Sequence, residues 1–154
     1  MDGLRESGSV VVDCPPGDLY DMVSDVTRMG EWSPICKACW WDEGEAARVG
    51  ARFTGRNELP ERTWETRSEV VAADRGREFA FVVQTTGTRW GYTFEAVEGG
   101  TELTETWEFT PEGVALFRER FGDDAQAQVD NRRETARLGI AATLAALKRT
   151  AESR

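Results

Sequence analysis

Four of the five segments between residues 51 and 109 alternate apolar with charged or hydroxyl side chains, and this period of two constrains the fold most. Ala51, Phe53 and Gly55 share one parity against Arg52, Thr54 and Arg56. Trp64, Thr66, Ser68 and Val70 oppose Thr63, Glu65, Arg67 and Glu69. Trp90, Tyr92 and Phe94 oppose Arg89, Thr93 and Glu95, and Leu103, Trp107 and Phe109 oppose Glu102, Thr104, Thr106 and Glu108. A sheet with one face packed and the other in water produces this pattern. The separators Glu58–Glu61, Asp74–Gly76, Thr85–Gly87 and Glu98–Gly100 are short enough for hairpins, so successive strands pair antiparallel.

The remaining elements bracket that sheet. Residues 9–13 read as a first strand stopped by Cys14-Pro15-Pro16-Gly17, and Leu19, Met22, Val23 and Val26 recur at helical spacing. Residues 29–34 form a loop or a second short helix, and residues 37–42 a short strand in which either Trp40 or Trp41 faces inward. Val114, Leu116, Phe117 and Phe121 mark a short amphipathic helix. Asp123 or Asp124 can cap a last helix over 124–151, with Val129, Arg133, Ala136, Ile140, Leu144, Leu147 and Ala151 along one stripe. Gly139, inside that helix, marks a close backbone approach. The order is a strand, a helix pair, six strands and a long helix. It implies an α+β fold, a curved seven-stranded antiparallel sheet wrapped around the C-terminal helix, as one domain over residues 1–154.

Composition narrows the function. Acidic residues outnumber basic ones, 28 to 19, a net charge of −9 that disfavours nucleic acid and anionic membranes as partners. The chain has no His, which removes the usual general base and the commonest metal ligand. No metal and no cofactor are expected. No segment is apolar for long enough to span a bilayer, no leader pattern opens the chain, and the three Cys lack a disulfide framework. A reduced, cytoplasmic protein, monomeric or homodimeric, is expected. Arg outnumbers Lys 17 to 2, a bias that points to a bacterial genome rich in G and C.

The run Val23-Ser24-Asp25-Val26-Thr27-Arg28-Met29-Gly30-Glu31-Trp32-Ser33-Pro34 resembles the N-terminal signature of polyketide cyclase/dehydrase-like proteins of the helix-grip (START-like, SRPBCC) superfamily. Residues 50–57 and 100–106 are similar to the same group, chiefly its actinobacterial members. The resemblance implies a cavity for an apolar small molecule between sheet and C-terminal helix. It does not imply one chemistry, because a fold is not a function.

The residues themselves offer a candidate site. Periodicity alone favours a plain core for Trp40, Trp41, Trp64, Phe81, Trp90, Tyr92 and Trp107. The polar company on the same inner faces raises the pocket reading: Asn57, Arg62, Thr66, Ser68 and Glu105. Tight hairpins would set Asn57 opposite Arg62, Gly55 opposite Trp64, Phe53 opposite Thr66, and Tyr92 opposite Glu105. The expected ligand site comprises Trp32, Phe53, Asn57, Arg62, Trp64, Thr66, Phe81, Trp90, Trp107, Phe117 and Ile140, with residues 111–122 as a lid. Glu105 and Tyr92 are the candidate catalytic pair. Cys36-Lys37-Ala38-Cys39 has redox or metal spacing but no second Cys pair and no His, and reads as structural. Two functions remain: a carrier, sensor or chaperone of an apolar, aromatic or polycyclic ligand, which is preferred, and a cyclase, aromatase or dehydratase with Glu105 as base and Tyr92, Asn57 or Arg62 as donors.

Overall fold

The computed structural model describes residues 4–43 and 46–153. In chain order the elements are β1 (Arg5–Val12), α1 (Pro16–Val23), a 3-10 turn (Val26–Glu31), β2 (Cys36–Trp41), β3 (Arg52–Leu59), β4 (Arg62–Asp74) and β5 (Glu78–Val83). Then come β6 (Thr88–Val97), β7 (Gly100–Phe109), α2 (Pro111–Phe121), a short 3-10 turn and α3 (Ala125–Glu152). The seven strands form one antiparallel sheet in the order β1-β7-β6-β5-β4-β3-β2. This is the helix-grip arrangement that the alternation and the element order imply. No helix among the described residues is long and apolar enough to cross a membrane.

The inner face of the sheet carries the core. At one end α1 buries Leu19, Tyr20 and Val23, with the Tyr20 ring edge-on to Phe79 and Phe94. At the other end Thr110 caps α2, its Oγ1 accepting from the Gly113 amide at 3.1 Å. Phe117 packs edge-on against Phe109 at 4.8 Å and Phe121 at 5.1 Å, which seals α2 onto β7.

The long helix grips only part of the sheet. It packs mainly on β1 and, less extensively, on β7. Its C-terminal turn is tied to β1 by Lys148 Nζ, which donates to the Val11 carbonyl at 2.6 Å, and by Glu152, which accepts from the Asp13 amide. Further along, Arg133 reaches Glu6 at 2.6 Å. The close approach lies at Gly8, where an added Cβ would sit 2.9 Å from Ile140 Cγ2 and 3.3 Å from Leu144 Cδ1. Gly139 is the opposite case: a Cβ there would meet nothing within 4 Å. The close approach expected at Gly139 therefore occurs at Gly8.

Other local expectations are corrected. The β3–β4 hairpin is tighter than a four-residue separator implies, because Leu59 pairs with Arg62 around Pro60-Glu61. Asn57 therefore faces Trp64, Gly55 faces Thr66 and Phe53 faces Ser68, a shift of two residues that preserves every face. Asp124 flanks α3 without a capping bond; its carboxylate accepts from the Gln128 side chain instead. Trp41 packs inward against Phe53, while Trp40 is 41% exposed.

The two glycines give a direct check. Gly8→Ala should cost about 1–3 kcal/mol in a denaturant titration, because the new methyl drives into a packed contact. Gly139→Ala should be neutral or stabilising by up to about 1 kcal/mol, from helix propensity.

Candidate functional site

Because α3 lies over β1 and β7, and α1 covers only one end of β5 and β6, part of the inner face of β3–β6 is left open, and a cavity of about 480 Å³ lies between it and α3. Its sheet wall is aromatic: Phe53, Trp64, Phe81, Trp90, Tyr92 and Trp107. Its helical wall is small or polar: Arg132, Thr135, Ala136, Gly139 and Thr143. These positions form a stripe beside the apolar one. Residues of the 3-10 turn and the loop that follows it, Met29 and Trp32 to Ile35, close one side.

Trp32, Phe53, Asn57, Arg62, Trp64, Thr66, Phe81, Tyr92, Trp90, Glu105 and Trp107 all line this cavity. Ile140 and Phe117 do not. Ile140 is one step round the helix and packs against Gly8. Phe117 is 1% exposed and fills the joint between α2 and β7. Of the segment 111–122 only Arg120 reaches the cavity. Gly139, Thr143, Ser68 and Thr88 also line it. Ser68 shares the inner parity of Trp64 and Thr66, but Gly139 and Thr143 give a faint signal, since small residues beside an apolar stripe resemble a solvated helix edge.

The polar centre of the cavity is Glu105. On β7 it pairs across to Tyr92 on one side and to Gly8 on the other. It is 2% exposed. The Tyr92 hydroxyl donates to its Oε2 at 2.9 Å, and Oε1 is the one buried side-chain oxygen or nitrogen without a hydrogen-bond partner among the described residues. Burial pushes the Glu105 carboxyl up to about 8, and the Tyr92 hydrogen bond offsets only part of that shift. Tyr92 is itself held well above its ordinary value by burial and by the neighbouring carboxylate, so it stays a donor. At neutral pH Glu105 is therefore mostly a neutral acid. Its Oε2 accepts from Tyr92, which leaves Oε1 as the oxygen open to a further hydrogen bond.

Two features adjoin this centre. Asn57 donates to Thr66 Oγ1 at 3.2 Å and so is engaged within the wall rather than free to hold an enolate. A bulge between Cys36 and Ala38 breaks the strand alternation and turns both Cys36 and Cys39 into the cavity wall. Their sulfurs cover the gap over Gly55, 3.3 and 3.6 Å from where its Cβ would be, a place the expected register gave to Trp64. Donation from Cys39 lowers the Cys36 thiol, and that contact together with burial raises Cys39. Among the described residues no group of three or more His, Cys, Asp or Glu converges as a metal site would need.

A family profile described as polyketide cyclase / dehydrase and lipid transport matches residues 5–152. The chain belongs to that family. A polyketide cyclase-like protein from Corynebacterium glutamicum, solved by solution NMR, is 48% identical over 97% of this chain and 93% of its own, with a TM-score of 0.71. The di-domain ARO/CYC StfQ from the steffimycin biosynthetic pathway shares the fold at 17% identity, covering 98% of this chain and 51% of its own, with a TM-score of 0.72. The di-domain ARO/CYC BexL from the BE-7585A pathway does so at 21% identity, covering 97% and 50%, with a TM-score of 0.66. No curated protein matches the chain.

The buried acid makes stability depend on pH. The unfolded carboxyl ionises near 4.5 and the folded one near 8, so in that window folding takes up a proton and stability falls as pH rises. Relative to Glu105→Gln, the wild type should lose on the order of 3 kcal/mol between pH 5 and pH 8, at roughly 1.4 kcal/mol per unit. Parallel denaturant titrations of the two proteins at both pH values measure this.

Proposed function

We propose that this protein binds an apolar ring compound carrying a carbonyl or similar acceptor inside the cavity, as a carrier, sensor or chaperone of that compound. One observation carries the reading: a buried carboxyl oxygen without a hydrogen-bond partner, Glu105 Oε1, on a residue that lines an aromatic cavity. Leaving such a group unpaired costs free energy, which a ligand acceptor recovers. A volume near 480 Å³ lies in the range of small-molecule sites, and an aromatic wall with few polar groups orients a flat ligand. Membership of the polyketide cyclase / dehydrase and lipid transport family supports a ligand-binding or cyclase role.

A cyclase or dehydratase is the second reading, favoured by the same Glu105–Tyr92 pair. Cyclisation needs a base to take a C–H proton and donors for the resulting enolate. Two of the three donors proposed for it are engaged, Tyr92 with Glu105 itself and Asn57 with Thr66, and the third, Arg62, lies over the Trp64 ring. With its carboxyl raised to about 8, Glu105 is a hydrogen-bond donor first and a base only in its minor ionised form. The binding reading is therefore preferred.

A simple aryl ketone, 2-acetylnaphthalene, tests both. It should quench tryptophan fluorescence saturably, with affinity constant below pH 7 and falling above pH 8 as Glu105 ionises. Glu105→Gln keeps a donor and should bind with little change but without the pH dependence. Gly139→Leu should place its side chain in the cavity and abolish binding while the protein stays folded. Affinity that is flat from pH 6 to 9 in the wild type contradicts the role of Glu105. A substrate turnover that rises through pH 8 and is lost in Glu105→Gln would favour the cyclase.

A further inference from the structure

The cavity mouth is positively charged, in a chain with nine more acidic than basic residues. Arg62 from β4, Arg120 from α2 and Arg132 from α3 all line it. None of the three forms an ion pair with a described carboxylate. Their neighbours do: Arg133 holds Glu6 at 2.6 Å, and Arg137 holds Glu134 at 2.5 Å. Two of the three rest on rings, and Arg132 also donates to the neutral Asn131 side chain at 3.1 Å. The Arg62 guanidinium lies 4.0 Å over the Trp64 ring and that of Arg132 lies 5.6 Å over Phe117.

The cluster is mutually repulsive. Arg132 is lowered from the ordinary guanidinium range, first by burial and then by the charges of Arg62 and Arg120. Glu65 also borders the cavity, but it alternates with Trp64 and Thr66 and so belongs to the outer row of β4. Glu105 is at the buried centre, bonded to Tyr92 and in no ion pair with the three, its carboxyl pushed up to about 8 by burial. Three unneutralised guanidiniums around an apolar cavity lack an anion, and planar N–H forks fit an oxyanion.

We propose that the ligand is amphipathic, an apolar ring body inside the cavity with a carboxylate or phosphate oxyanion at the mouth, held by Arg132, Arg120 and Arg62. This rests on the cavity being a ligand site. It adds the chemical class of the ligand's outer end and an orientation, with the acceptor group inward toward Glu105 and the charge outward. Each ring-stacked guanidinium is partly pre-ordered, which reduces the entropy lost when the anion arrives.

Three probes with one ring system test this by tryptophan quenching: 6-acetyl-2-naphthoate, its uncharged methyl ester, and 6-acetyl-2-naphthyl phosphate. At low salt the carboxylate or the phosphate should bind at least about tenfold tighter than the ester, with the gap narrowing in high salt. Whichever oxyanion leads identifies the source. Arg132→Gln and Arg120→Gln should each weaken the anion several-fold and leave the ester unchanged, and Arg132→Lys should retain part of the preference. Saturable binding of the ester with no gain for either anion overturns the proposal and leaves the cavity reading intact. Variants that weaken ester and anions alike also overturn it, since the arginines then act only as covers on Trp64 and Phe117. Failure of all three probes to bind overturns both readings.

Discussion

One straight helix cannot cover the inner face of a curved seven-stranded sheet, and the rest of this structure follows from where α3 makes its contact. The contact is set at Gly8, where the missing side chain lets Ile140 and Leu144 settle onto β1. From there the helix contacts β1 and β7, and it makes no comparable contact with the strands that continue from β6 to β3. A globular core would fill the gap with large side chains from both walls. Here only the sheet supplies them, and the facing helix offers Ala136, Gly139 and Thr143. The cavity is thus a consequence of an asymmetry in side-chain size, with tight packing on one flank of α3 and small residues on the other.

Glu105 lies at the boundary between those two regimes. Its strand neighbours are Gly8, under the helix contact, and Tyr92, on the cavity wall. Burial there keeps the carboxyl protonated at neutral pH, which avoids an unpaired buried charge but leaves a polar oxygen without a partner. Natural sequences break local consistency of this kind mostly where function requires it. The rings around it orient a flat ligand, the acid donates one hydrogen bond, and the unpaired guanidiniums stand where such a ligand would project into solvent. The three features are independent in sequence and converge on a single volume.

Much of this was legible beforehand, for definite reasons. The face alternation in β3, β4, β6 and β7 survives a register error, because the shift of the β3–β4 hairpin was by two residues and the pleat repeats every two. The Tyr92–Glu105 pair is readable because the two-residue turn Glu98-Gly99 is tight and both strands run without a bulge to Thr88 and Phe109. What was hidden depended on deviations from periodicity. The bulge at Cys36 to Ala38 brings two cysteines to one face that a regular strand would separate. On α3 the hydrophobic stripe is real but packs on β1, so Ile140 on the stripe meets Gly8 while Gly139 and Thr143 beside it line the cavity. Phe117 was misplaced for a similar reason: an amphipathic helix shows that it has a buried side, not what that side packs against. The arginines of the mouth come from three distant segments, and only the tertiary fold shows that none of them forms an ion pair with a described carboxylate.

The protonation state of Glu105 is the point on which the account turns, and it can be observed without a ligand. Side-chain carboxyl carbons of protein labelled with 13C-glutamate can be followed by NMR from pH 4 to pH 10, with Glu105→Gln assigning the resonance. The account requires one glutamate to titrate near pH 8, far above the others, and to shift when an aryl ketone is added at pH 7. If the resonance lost in Glu105→Gln instead titrates below about pH 5.5, with the ordinary carboxylates, Glu105 is ionised at neutral pH, and the donor at the centre of this cavity does not exist.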